Sequence, residues 1–418
     1  MTAEIGVLNA NGLVLAADSA LTMGNIENFK IFNSGNKIFT LGSNHSVGIM
    51  IFGNIDFMGI PWEIIVKGFK NKIGDKSLDE VQDYCTEFFN YVANMDEIYS
   101  PIQSEILILG YAESLKSILE NTTYEMTSEK FNLEDYQNAV QSKIPGLLKE
   151  SEKLKSITKK ITVKAFTDAY GSKIDVVFQE LFDTIFLGTD IYNKIKLSLY
   201  KIIRNYFYSD SYFPEIYTGL VIAGFGEHEI FPSLYQFDIA GVVDRIIKKR
   251  LNVMSVVSNE DVEGKCSSAI VPFAQQDMVH LLINGISPDL QDDLAEILKV
   301  SFDTFIKEVS TKQLVKKSKI DEINKIRSDV EASIFDAFDD VKKQRYTEPV
   351  LMIIDSMPKE ELATLAETLV NMTAFKRRIS LSVETVGGPV DVLLITKGDG
   401  PVWVKRKHYF DPDINRKD

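Results

Sequence analysis

Two short apolar runs open the chain. Residues 2–8 and 13–17 are rich in Val, Ile and Leu, and Asn9-Ala10-Asn11-Gly12 between them is hairpin-turn chemistry. If Leu8 faces Leu13, paired positions sum to 21, which sets Thr2 opposite Ser19 and beside Asp18 at the open end of the hairpin. A second hairpin pattern runs from Lys37 to Leu41, through Gly42-Ser43-Asn44, into Val47 to Gly53. Folded about His45, it brings Lys37 opposite Gly53. The pattern therefore predicts Thr2, Asp18, Lys37 and Gly53 at one end of two neighbouring hairpins.

Further along, the apolar spacing changes from strand-like to helical. Ser77-Leu78-Asp79-Glu80 reads as a capping box opening a helix with Val81, Cys85, Phe88, Phe89 and Val92 on one face. Pro61 to Phe69, Gln275 to Ile286 and Pro358 to Phe375 read as further helices, the last with Leu362, Leu365, Ala366, Leu369 and Val370 inward. Helical patterns also fill 113–209 and 288–345. In the second of these, Ile320, Ile323, Ile326, Val330, Ile334, Phe338 and Val341 form an amphipathic stripe. It is expected to pack on the first helical segment, or else to dock another subunit or an unfolding partner.

The four residues of the hairpin ends suit acyl transfer. A Thr hydroxyl needs a base, and once Met1 is removed the α-amine of Thr2, with an ordinary pKa of roughly 7.7 to 8.0, can serve. An ammonium at Lys37 favours the neutral amine, and a carboxylate at Asp18 holds Lys37 charged and oriented. The amide of Gly53 is a candidate oxyanion donor.

The stretches Thr2–Gly6, Gly12–Ser19, Leu21–Gly24, Asn36–Phe39 and Gly48–Gly53 resemble the start of proteasome β-subunits and related bacterial proteasome-like peptidases, which are N-terminal nucleophile (Ntn) hydrolases. The resemblance resumes at Thr218–Gly226 with Pro232–Gly241, similar to the middle hairpin of that family. It resumes again at Val386–Gly400 and Val402–Val404, similar to its closing hairpin. About half the chain is covered. The resemblance implies an α+β fold, a four-layer αββα Ntn-hydrolase sandwich with helical insertions. Thr2 would be the nucleophile, Asp18 and Lys37 its support and Gly53 the oxyanion donor. Thr22 and Gly53 would pair with an extended peptide, while Leu21, Ile51 and Ile55 would shape the side-chain pocket.

Two positions depart from that pattern. The family carries Gly-Ser-Gly after the middle hairpin and Asp-x-x-Ser before a glycine pair. This chain has Ser268 to Gln276 at the first place, and Val383 and Val386 at the second. Glu384, Thr385, Gln275 and Gln276 are candidate replacements, each able to hydrogen-bond a water.

Length and charge bound the rest. At 418 residues the chain is about twice a proteasome-type domain. Insertions explain this best, because the resembling segments lie at both ends and in the middle. The expected organisation is 1–112, 210–287 and 346–418 for the Ntn-hydrolase domain, with helical insertions at 113–209 and 288–345. A formal charge of −14 would repel a phosphate backbone, so nucleic acid is not an expected partner. Two cysteines are too few for a disulfide framework or zinc site, and no motif implies a cofactor or a metal. With neither a charged leader nor an uninterrupted apolar span, the expected location is cytoplasmic. The leading expectation is a threonine-type peptidase or amidase acting on peptide or unfolded-protein substrates. By family analogy it is expected to be a homo-oligomer, with a ring as the candidate assembly and an ATP-dependent unfoldase as a candidate partner. The alternatives are a catalytically impaired structural or interaction subunit and a small-molecule amidase.

Overall fold

A computed structural model describes residues 3–25, 28–98, 101–121, 133–185, 191–214, 217–243, 245–259, 265–312, 314, 319–380 and 386–408. It is a mixed α/β chain that divides into two compact units, Met1–Gly48 with Glu229–Ser233 and Ser255–Asp418, and Ile49–His228 with Leu234–Met254.

The first unit is built on strands β1 (Glu4–Asn9) and β2 (Gly12–Ala17). Leu8 pairs with Leu13 and Glu4 with Ala17, the register that the turn residues predict. A ribbon of β3 (Leu21–Asn25) and β4 (Asn28–Phe32) and the short β5 (Ile38–Thr40) follow. Late in the chain come β12 (Lys265–Cys266), β13 (Ser268–Pro272), β14 (Asp391–Thr396) and β15 (Gly400–Lys405). The sheet order is β13-β1-β2-β14-β15, with β14 antiparallel to both β2 and β15. Strand alternation sends Ile5, Val7, Val14, Ala16, Val392 and Leu394 to one face. There they form a single core with Leu362, Ala363, Ala366, Leu369 and Val370 of helix Lys359–Ile379 and with Val279 and Ile283 of helix Asp277–Asn284. Each fully buried Val, Leu or Ile side chain among them contributes about 1.5–3 kcal/mol.

Two helices from the expected second insertion belong to this unit and carry no buried residue, Pro288–Thr311 and Ile320–Lys342. The stripe read as one face is divided. Ile320, Ile323 and Phe338 are half-buried, whereas Ile326, Val330, Ile334 and Val341 are 38–55% exposed. Arg327 and Asp303 form an ion pair from one of these helices to the other. A pair of helices covers only one side of each, so the rest of the stripe faces solvent. Helical structure then continues through 343–347 into Glu348–Asp355, so the expected boundary at 345 falls inside it. The strand end meets this helix at Asn9, whose Nδ2 donates to the carbonyls of Ile354 (2.7 Å) and Met357 (2.9 Å).

The second unit contains β6 (Val47–Gly53, from its third residue), the small hairpin β7 (Asp56–Phe57) and β8 (Ile60–Pro61), then β9 (Thr218–Gly224), β10 (Ser233–Val243) and most of β11 (Ile246–Val257). These long strands run in the order β11-β10-β9-β6. Helices Trp62–Ile73 and Val81–Ala93 cover them. The Trp62 indole donates to Thr218 Oγ1 at 3.1 Å, and the Phe89 and Phe237 rings meet edge-on at 4.9 Å. Val81, Cys85, Phe88, Phe89 and Val92 are buried as the spacing predicts. The capping box lies three residues later than expected. The carbonyls of Leu78 and Asp79 accept the amides of Glu227 and His228, which keeps that segment out of the helix, and Glu80 N–H donates to Asp83 instead.

Helices Pro101–Glu120, Leu133–Lys153, Val163–Ile185 and Ile191–Tyr208 enclose a separate core that includes Ile108, Tyr111, Leu115, Phe166, Phe178, Leu199 and Ile203. The first of these helices runs straight through the expected boundary at 112. The helical segment therefore begins near residue 101.

Lys248 is 1% exposed at the edge of this core. Its Nζ donates to the Tyr206 carbonyl at 2.7 Å, in the last turn of helix Ile191–Tyr208, and sits 4.4 Å from the centre of the Tyr111 ring. Burial pushes its pKa from 10.5 down to about 7. Between those values the unfolded chain holds a proton that the folded chain has released, so stability rises with pH there, by about 1.4 kcal/mol per unit. In urea titrations at pH 7, 8 and 9, the stability advantage of Lys248→Met over wild type should shrink as pH rises. A gap independent of pH would contradict this placement.

Candidate active site

At the open end of the first hairpin, three ionisable side chains are buried together. Lys37 Nζ lies 2.5 Å from Asp18 Oδ1 and 3.0 Å from Glu4 Oε1. All three residues are at most 3% exposed. The ammonium is hydrogen-bonded to Asp18 and ion-paired with Glu4. The trio carries a formal charge of −1 in a region with little water to screen it.

Asp18 is held from four directions. Its Oδ1 accepts the Ala3 amide (3.1 Å) as well as Lys37, and its Oδ2 accepts the amides of Gly387 (2.9 Å) and Ala20 (3.3 Å). A carboxylate with that many donors is fixed in place. The local reason is the register. With Glu4 opposite Ala17, Asp18 is the first residue past the paired strands, and its own amide donates to the Ala3 carbonyl at 3.1 Å. The segment before β14 closes the arrangement, as Ser19 N–H donates to the Gly387 carbonyl and Ser19 Oγ to that of Pro389.

The expected Asp18–Lys37 pair is thus present, with Asp18 as the orienting partner. Glu4 and Gly387 were not singled out from the sequence. Glu4 had a signal, since an acid in an otherwise apolar strand, two positions from Thr2, shares its face and end. Thr2 lies outside the described residues, as do Val383, Glu384 and Thr385. Leu21 is half-buried in β3 and packs on Gly35, and Thr22 pairs with Ile31 in the ribbon.

Gly53, Ile51 and Ile55 belong to the second unit. Ile51 is buried and Ile55 half-buried. Gly53 is exposed with φ +78°, and a Cβ there would lie 2.6 Å from the Tyr217 carbonyl oxygen. Glycine at this position is therefore required by the backbone itself, whatever its amide does.

Of the polar residues considered at the departing positions, Gln275 and Gln276 lie within the described residues. Gln275 Oε1 accepts from Arg377 at 2.7 Å, and Gln276 is engaged with the Phe273 carbonyl and His280 around the start of helix Asp277–Asn284. Val386 is 1% exposed within the apolar core of the first unit. Among the described residues, no group of His, Cys, Asp and Glu is placed to hold a metal ion, and no helix is long and apolar enough to cross a membrane.

In comparisons with known proteins, no family model matches the chain and no curated protein matches it.

Proposed function

We propose that the chain is an Ntn hydrolase of the proteasome type, in which Thr2, freed by loss of Met1, cleaves peptide or other amide bonds. One observation carries this reading. A buried, fully hydrogen-bonded Asp18 holds the Lys37 ammonium at the open end of the N-terminal hairpin and takes the amide of Ala3, the residue after Thr2. Two sheets, each with helices covering a face, are the parts from which a four-layer αββα sandwich is assembled.

In the proposed reaction the α-amine of Thr2 accepts the hydroxyl proton as Oγ attacks the carbonyl carbon. The amine then delivers that proton to the leaving nitrogen as the C–N bond breaks, and water hydrolyses the ester. Lys37 disfavours a proton on the resting amine.

A second reading, a proteasome-fold interaction subunit without turnover, is favoured by the buried Val386 where the family places a serine. Turnover of an unstructured fluorogenic peptide separates the two. The hydrolase reading expects measurable cleavage that disappears in Thr2→Ala, with the circular dichroism spectrum unchanged. Absence of cleavage of a varied peptide library by the Met1-free chain would support the second reading instead.

A further inference from the structure

A cavity of about 330 Å³ lies within the second unit, between the β7–β8 hairpin, helix Pro101–Glu120, Pro214, Tyr217 and Thr218, and β10. It begins at Asn54, the residue after Gly53, yet none of Leu21, Ile51 or Ile55 lines it. Its volume falls in the range of small-ligand sites. The walls are mostly apolar, with Phe57, Met58, Leu107 and Ile239 among them, and Asp56 and Gln103 are among the polar residues that interrupt them.

Three features mark the cavity as built rather than left over. Phe57 pairs with Ile60, so Met58 and Gly59 form a two-residue turn, with φ +50° and +77°. Such turns favour Asn, Asp or Gly, and a Met held there costs roughly 1–2 kcal/mol, yet its flexible thioether lines the cavity. Gly59 gives room to Gln103, whose Nε2 would lie 2.5 Å from a Cβ at that position. Finally, among the described residues neither the Asp56 carboxylate nor the Gln103 amide has a hydrogen-bond or ion-pair partner, although both are half-buried. With no protein partner, both are free to hydrogen-bond a ligand that enters the cavity.

We infer that this cavity is a binding site for an amphiphilic cation, a compact aromatic or aliphatic body ending in an ammonium or guanidinium group. The body lies among Phe57, Met58, Leu107 and Ile239, and the cation meets Asp56 with Gln103 beside it. A carboxylate-bearing ligand is rejected by the same acid. The site does not depend on the hydrolase reading, and Thr2→Ala should leave it intact.

Ligand-detected NMR titrations of the full chain with 4-phenylbutylamine, 4-phenylbutanol and 4-phenylbutyrate test the assignment. The amine should bind about tenfold more tightly than the alcohol, the difference expected of one charge-assisted hydrogen bond, and the acid should not bind. Asp56→Asn should erase the preference for the amine while alcohol binding remains. Ile106→Trp, a substitution at a 55% exposed position on the cavity wall, should weaken amine and alcohol alike. Equal binding of all three compounds, no binding of the amine to wild type, or an amine preference that survives Asp56→Asn would overturn it.

Discussion

Lys37→Ala is expected to destabilise the folded chain by about 3–5 kcal/mol, the cost of leaving buried charge without its partner. The substitution removes the one ammonium that lies between two carboxylates, Glu4 and Asp18, each at most 2% exposed. Asp18 retains the amides of Ala3, Ala20 and Gly387, and both carboxylates lose the cation that lies 2.5 and 3.0 Å from them. A double-mutant cycle in urea makes the two separable. Glu4→Gln with Lys37→Met should recover a large part of the stability that Lys37→Met alone loses, because neutralising both partners is far cheaper than stranding one. If the two substitutions were additive, Glu4 and Lys37 would not be coupled in the way their distance implies.

Thr2→Ala is expected to abolish hydrolysis, whereas Thr2→Ser should retain it. Alanine keeps the main chain and the α-amine but removes the only atom that can form the ester, and serine preserves that oxygen. Neither substitution changes a residue of the Glu4–Asp18–Lys37 trio, so unfolding midpoints should match wild type while rates separate. Equal rates in all three proteins would place the chemistry elsewhere.

The parts of this molecule legible from sequence are those set by local rules. Asn9 to Gly12 gave the turn, alternation gave the register, and the register put Asp18 where it meets Lys37. Cys85, Phe88 and Leu362 were legible as core because a 3.6-residue period leaves one apolar stripe. What escaped was decided by distant chain. Ser77 to Glu80 carries the letters of a capping box, but Glu227 and His228 take the carbonyls that a helix there would need. The start of the helical insertion was missed because Leu107, Ile108 and Tyr111 continue the same apolar pattern as Leu115 across residue 112. In the 320–342 helix, period alone could not distinguish the residues facing a neighbouring helix from those left in solvent. Glu4 was hidden differently, since an acid in a strand reads as an exposed position until the face it occupies turns out to be interior.

The central claim is that Thr2 is a free N-terminal nucleophile supported by Asp18 and Lys37. The most direct measurement is peptide-level mass spectrometry of the chain after treatment with a threonine-directed β-lactone. Met1 should be gone and a single adduct should sit on the N-terminal Thr2, with its formation much slowed in Lys37→Met. Retention of Met1, or an adduct elsewhere that persists in Thr2→Ala, would contradict it.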